Sequence, residues 1–434
     1  MASKVNTRVL PVQRLNDESL REKSIPEWWA SERKSQTPEA AAIEEAAQLL
    51  RTSDVPVAFP TETVYGLAAD ATRSESVQGI YKAKQRPSDN PLIVHVDSMA
   101  MLERLLNPSI SPECAAKTPP KSIPPIYQGL VSRFWPGPLT IILPNPSGSL
   151  LAKEVTSNLT TFGVRMPASP LARLLIHAAD RPLAAPSANA STKPSPTTAQ
   201  HVYHDLHGRI ELILDGGPCS VGVESTVVDG LSDPPVILRP GGVGIEELRK
   251  YEGWQNVQVG YNDGTLDIKE VPRAPGMKYR HYSPKARVVL FESGSDERSV
   301  ARHVHRDLED TAIGAHSAGI VRTCRWEPGL GLIAPDNKEK ILQQIRSTPS
   351  GGLVSFSIPL KDRVKDCFTS KRGVDCALGT DIKEITRGIF AALRAMDEQE
   401  VDVIYVEGIP AELGDLHAAV MNRLRKAAGA ELKV

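Results

Sequence analysis

Apolar positions along this chain recur in two periods, and the alternation between them predicts an α/β protein. TRVLPVQ (7–13) reads as a short strand, followed by a polar, irregular stretch to about residue 36. Thr37-Pro38-Glu39 then supplies an N-cap hydroxyl, a first-turn proline and a first-turn acid before AAAIEEAAQLL, which predicts a helix. VPVAF (55–59) and PLIVHV (91–96) are short apolar runs of buried-strand type, with a helix over SESVQGIYKAK between them. PLTIIL, TTFGVRM, LAAP, IELIL, STVVD and PVILR predict further strands, and Ser169-Pro170 opens a helix over 169–179. Strands alternating with helices imply a twisted, mixed or parallel sheet flanked by helices.

After residue 285 the pattern restarts: strand RVVLF, helix near 297–309, strand, helix 337–346, strand LVSFSI, helix 382–396, strand VDVIYVEG and helix 416–427. That is a smaller, second α/β domain of Rossmann-like alternation. Two stretches break the periodicity. NPSISPECAAKTPPKSIPP (107–125) is Pro/Ser-rich and aperiodic and reads as a surface insertion, and 361–379 (KDRVKDCFTSKRGVDCALG) reads as a loop. The expected organisation is an N-terminal extension (1–36), a first domain (37–271), a linker (272–285) and a second domain (286–434). A chain of 434 residues exceeds one comfortable core, which agrees with two domains.

Composition removes options. A formal net charge of -1 gives no global attraction to nucleic acid or membrane, so any polyanion must be held by a local basic cluster. The five cysteines are scattered without metal spacing, which points to a reducing compartment and no structural zinc. No apolar run approaches the ~20 residues of a membrane helix. No apolar signal core opens the chain, and Asp17, Glu18 and Glu22 argue against a transit peptide. The cytoplasm is the expected compartment, with a minor mitochondrial pool left open.

Walker, Rossmann, zincin, serine-hydrolase and kinase motifs are absent. What remains are small polar residues at strand ends, where ligands collect in open α/β sheets. Thr61-Glu62-Thr63-Val64-Tyr65-Gly66 offers hydroxyls that line a pocket or merely close a turn. Lys84 and Arg86 end a helix, where they either clamp phosphate or complement the helix dipole. Asn90 and His95 bracket the next strand. Arg165 lies in an apolar strand and requires an anionic partner if buried. Ala185-Pro186-Ser187-Ala188-Asn189, Glu224-Ser225-Thr226 and Leu238-Arg239-Pro240-Gly241 repeat the theme, each also explicable as a turn.

Taken in order, PTETVYGL, the pair Lys84/Arg86, RPxDNPLIVH, GVRMP, the pair Ser187/Asn189, ESTVVD and LRPG resemble the YrdC-like domain of the L-threonylcarbamoyladenylate synthases. VIYVEGIP and AVMNRLRKAA are similar to the C-terminal domain of the two-domain members of that family. The resemblance runs from about residue 37 to the end.

The resemblance implies a nucleotidyltransferase that joins L-threonine, bicarbonate and ATP into threonylcarbamoyl-AMP and pyrophosphate, with Mg²⁺ accompanying the ATP and no dedicated metal ligands. The product would pass to the tRNA threonylcarbamoyl transfer machinery for the adenosine beside the anticodon, with direct tRNA contact left open and no membrane partner. It places Thr63, His95, Arg165, Ser187 and Ser225 around threonine. It places Arg86, Asn90, Thr161, Asn189, Thr197, Arg239 and Tyr282 around ATP, with Lys84, Arg86, Ser187 and Asn189 at the chemistry. The basic and aromatic residues of 272–284 also fit a lid that would exclude water from a labile anhydride. A translation-associated module binding double-stranded RNA or tRNA is the rival; near-zero charge and the absence of RRM, KH and dsRBD signatures oppose it. A hydrogenase-maturation carbamoyltransferase shares the domain but would carry zinc-finger cysteine pairs, and no CxxC is present.

Overall fold

A computed structural model of the chain describes residues 5–17, 20, 24–88, 90–108, 122–261, 281–310, 314–362 and 367–434. They divide into two compact units, Met1–Ser191 with Ser195–Tyr279, and Thr192–Pro194 with Arg280–Val434.

The strands of the first unit are β1 Arg8–Pro11, β2 Val57–Phe59, β3 Gly66–Asp70, β4 Ile93–His95, β5 Leu139–Pro144, β6 Thr161–Arg165, β7 Leu183–Ala184, β8 Leu212–Asp215, β9 Thr226–Asp229, β10 Val236–Arg239 and β11 Gln258–Val259. They form one mixed sheet in the order β1-β8-β2-β3-β7-β4-β6-β5-β9-β10-β11. At its centre β4 runs parallel to β6 and antiparallel to β7, while β5 runs antiparallel to β6 and parallel to β9. The helices are α1 Ile25–Ser35, α2 Pro38–Thr52, α3 Ser74–Lys84, α4 Met99–Leu106, α5 Pro125–Phe134, α6 Lys153–Thr156, α7 Pro170–Ala179, α8 Ala199–Leu206 and α9 Ile245–Leu248.

Local chemistry explains where α2 starts. The Thr37 hydroxyl accepts the Ala40 amide at 3.1 Å, Pro38 fills the first turn, and Ala40, Ile43, Ala46, Ala47 and Leu50 face the core. The stretch before it is not irregular: α1 lies within it. Adjacent Trp28 and Trp29 are its buried anchors, and Glu32 accepts Trp28 Nε1 at 3.1 Å and both terminal nitrogens of Arg14 at 3.1 and 2.7 Å. Two adjacent aromatics among polar residues leave little 3.6-residue periodicity, so packing rather than pattern specifies this helix. Strand β3 also escapes pattern reading. All five residues of GLAAD are buried, so no polar face alternates.

The second unit contains β12 Arg287–Phe291, β13 Ser317–Arg322, β14 Leu353–Asp362, β15 Cys367–Ala377, β16 Val403–Glu407 and β17 Ala430–Leu432, in the order β14-β15-β13-β16-β12-β17. All neighbours are parallel except β14 with β15. Its helices are α10 Glu297–Glu309, α11 Lys338–Ser347, α12 Ile382–Glu398 and α13 Asp415–Ala427. Val289 and Phe291 join Val300 and Val304 of α10 in one core cluster. The expected loop at 361–379 is largely strand: residues 367–377 form β15, paired with both β14 and β13. Its polar stretch SKR precedes buried Gly373–Cys376, a mixture that reads as loop without its neighbours.

Two expectations fall largely outside the described residues. Of the Pro/Ser-rich segment, 109–121 are not described, whereas Ile123 is buried and α5 begins at Pro125. Of the expected linker and lid, 272–280 are not described, and residues 281–285 belong to the second unit. Among the described residues no helix is long and apolar enough to cross a membrane.

Candidate functional site

The central strands of the first unit are two-faced. Val94, Val164, Ile141 and Val228 enter the main core, while Ile93, Ile142, Val227 and Leu238 form a separate small apolar cluster. Side chains alternate along a strand, so His95 shares a face with Ile93 and Arg165 with Gly163. Register aligns His95 with Arg165 across the β4–β6 pair. This second face is therefore apolar in the middle and cationic at one end. Gly163 lies in this middle, where a Cβ would make ordinary contacts of 3.4–3.7 Å with Thr140 Cγ2, Ile142 Cδ1 and Ile93 Cγ1.

Arg165 is buried and paired. Its two terminal nitrogens donate to Glu62 Oε2 and Thr63 Oγ1, both at 3.0 Å, with the Arg165 and Glu62 side chains 4% and 3% exposed. Thr63 Oγ1 also lies 2.9 Å from Thr61 Oγ1, which donates to the Val64 carbonyl. His95 closes the same end, its Nδ1 3.2 Å from the Ile93 carbonyl and its ring edge-on to Phe59. Burial first, then the charges of Arg165 and Arg239, push the imidazole pKa down to about 3, so His95 is neutral at physiological pH. Arg239 Nε donates to the Ser225 carbonyl at 3.0 Å and a terminal nitrogen donates to Ser225 Oγ at 3.1 Å. Ser225 Oγ in turn lies 2.8 Å from Thr140 Oγ1. Gly241 allows this close approach, because a Cβ would fall 2.3 Å from the Thr226 amide nitrogen.

The residues after β7 form a second group. Lys84, 2% exposed, donates to the carbonyl oxygens of Ser187 and Asn189 and, at 3.3 Å, to Asn189 Oδ1. Ser187 Oγ donates to the same Oδ1 at 2.5 Å. Backbone bonds lace this group to the first: Ala188 N to Tyr65 O, Tyr65 N to Pro196 O, Cys219 N to Thr197 O and Gly222 N to Thr63 O. Thr197 thereby joins the assembly. Asn90 precedes β4 and Thr161 opens β6, so both stand at the starts of neighbouring parallel strands, opposite the end held by His95 and Arg165. The five steps from Asn90 to His95 span at most about 17 Å. Arg86 is half-buried just past α3, its amide bonded to the Tyr81 carbonyl.

Two of the expected ATP residues have protein partners of their own. Arg239, expected beside the nucleotide, is bonded directly to Ser225, expected beside the amino acid. Tyr282 lies in the second unit, where it packs on Phe390 at 5.0 Å beneath the Arg423 guanidinium, with φ +65. Sequence reading passed over Glu62 as an acid, although it stands inside the motif, and over Thr140, whose only signal is a hydroxyl within PLTIIL. Glu224, which accepts Ser195 Oγ at 2.5 Å, was likewise unassigned.

Burial pushes the Cys219 thiol up, so it stays protonated and is no nucleophile. Among the described residues no three His, Cys, Asp or Glu side chains gather as a metal cage, and Glu62 is already bound to Arg165.

A charge-paired polar face on a mixed sheet, followed by a second, largely parallel α/β unit, is the arrangement of a Sua5/YciO/YrdC domain joined to a second domain. Residues 49–241 match the family described as Telomere recombination (Sua5/YciO/YrdC), and 243–429 match the threonylcarbamoyl-AMP synthase C-terminal domain. The threonylcarbamoyl-AMP synthase of Schizosaccharomyces pombe is 45% identical over 402 residues, 89% of this chain and 88% of its own length. That of Bacillus subtilis is 42% identical over 387 residues, 89% and 93% of the two chains. The crystal structure of Pyrococcus abyssi Sua5 complexed with L-threonine superimposes with a TM-score of 0.68 at 38% identity, covering 90% of this chain and 96% of that one. The chain belongs to the threonylcarbamoyl-AMP synthase family, nucleotidyltransferase-type enzymes of tRNA modification.

Proposed function

We propose that the chain condenses L-threonine, bicarbonate and ATP into threonylcarbamoyl-AMP, pyrophosphate and water, on the second face of the first unit's sheet, in the cytoplasm. The observation that carries this reading is Arg165. A guanidinium this deeply buried, with hydroxyls around it and a neutral histidine beside it, suits the carboxylate of a small amino acid. The Pyrococcus abyssi relative was crystallised as a complex with L-threonine, which supports the same choice.

Threonine sits at the His95–Arg165 end and ATP extends toward Asn90, Thr161 and the Lys84–Ser187–Asn189 group. The amine and bicarbonate give a carbamate. A carbamate oxygen attacks the α-phosphorus, the bond to the β-phosphate oxygen breaks, and pyrophosphate leaves. The protein forms no covalent intermediate. It contributes position, by fixing both reactants on one rigid sheet, and charge, through Lys84, Arg86 and Arg239. Mg²⁺ bound with the ATP would neutralise charge on the phosphates as pyrophosphate leaves. The product goes to the machinery that modifies tRNA next to the anticodon.

Labelled bicarbonate, incubated with ATP, threonine and the full chain, tests this directly. Label should appear in a threonylcarbamoyl adenylate with one pyrophosphate released per product. Pyrophosphate release that does not depend on threonine would overturn the assignment.

A further inference from the structure

The Arg165–Glu62 pair is incomplete at both partners. Among the described residues, Arg165 Nε and Glu62 Oε1 are buried polar atoms that no hydrogen bond satisfies. Their partner atoms are all used: the terminal nitrogens of Arg165 on Glu62 Oε2 and Thr63 Oγ1, and Glu62 Oε2 on Arg165. One orphan is a cationic donor and the other an anionic acceptor. Leaving either unmet in a buried site is expensive, more so for charged groups. A single ligand that carries an anion and a cationic donor close together completes both with charge matched to charge. An α-amino acid zwitterion has that composition, with its carboxylate and ammonium on one carbon.

We propose that Glu62 is the α-ammonium subsite: Oε1 accepts from the amino group of the amino acid whose carboxylate is taken by Arg165, and so selects amino acids over hydroxy acids. This rests on the reading that threonine binds at Arg165, and it adds a residue and an atom to it. Position supports the assignment. Glu62 is the residue before Thr63, its carbonyl is pinned by the Val221 amide at 2.8 Å, and its carboxylate is held by Arg165, so Oε1 has little freedom to turn to solvent. A site that hydrogen-bonds a substrate N–H discriminates strongly against the analogue lacking it, because the buried acceptor is then left unpaired.

The test compares L-threonine with (R)-3-hydroxybutyrate, the same molecule without its amino group, by calorimetry on the full chain. The wild type should bind hydroxybutyrate at least about 30-fold more weakly than threonine, the scale of one charged hydrogen bond. E62Q should lower threonine affinity at least about tenfold, toward the hydroxybutyrate value, and leave hydroxybutyrate within about threefold. Equal wild-type affinity for the two ligands refutes the proposal. So does an E62Q variant that weakens both equally, since that is the signature of a misplaced Arg165. If E62Q does not fold, the wild-type comparison decides alone. No threonine binding by the wild type sinks the threonine reading itself, an outcome distinct from threonine binding that ignores the amine.

Discussion

The buried ion pair is the feature whose energetics can be worked furthest. In Arg165→Met the guanidinium is replaced by an apolar chain of similar length. Glu62, 3% exposed, then loses its only counter-ion among the described residues, and Thr63 Oγ1 loses a donor. Removing one partner of such a pair costs about 3–5 kcal/mol. Glu62→Gln is milder, because a carbonyl oxygen still accepts from Arg165 while the charge is lost, and about 1.5–3 kcal/mol is expected. In the double variant both charges are gone, so the total should fall short of the sum by about 2–3 kcal/mol. Urea unfolding followed by tryptophan fluorescence suits the measurement, because Trp28, Trp29, Trp135 and Trp254 belong to the first unit and Trp326 to the second. A single Arg165→Met cost below about 1 kcal/mol, or additivity within about 0.5 kcal/mol, would refute the buried-pair account.

Three further outcomes follow from the same geometry. His95 has a folded pKa of about 3 against an ordinary 6.5, so the unfolded chain takes up the proton first as pH falls. The stability from keeping it neutral is whole above about pH 6.5 and erodes toward pH 3, by at most about 1.4 kcal/mol per pH unit, so His95→Gln should flatten that slope in urea midpoints. An unchanged slope would mean that another group carries it. Gly241→Ala drives a Cβ into backbone at 2.3–2.6 Å, with no side chain able to yield, and should cost upwards of about 2 kcal/mol while loosening Arg239 from Ser225. A melting temperature within experimental error of wild type counts against that contact. Arg86→Ala should cut ATP-dependent pyrophosphate release about 100-fold without lowering thermal stability, and near-normal turnover would remove Arg86 from the phosphates.

Much of the architecture was legible in the chain itself, for local reasons. The hydroxyl of Thr37 and the ring of Pro38 start α2 without help from the rest of the fold, and runs such as PLTIIL and TTFGVRM are too apolar to lie anywhere but in a covered sheet. The ordered motifs around Thr63, Arg165, Ser187 and Arg239 carried the resemblance to the family. Helix α1 and strand β15 were not legible, because their stability comes from partners: Trp28 and Trp29 from the core they enter, β15 from β13 and β14 on either side.

The site divides the same way. That Arg165 would need an anion followed from its place in an apolar strand. Which anion, and that the same carboxylate keeps one oxygen spare, depended on Glu62 lying 103 residues away in sequence and 3.0 Å away in space. Residue type and local spacing determine what a side chain can do. Only the tertiary structure decided which groups spend that capacity on each other and which keep it for a ligand, because hydrogen bonds and charge pairing act over a few ångströms whatever the separation along the chain.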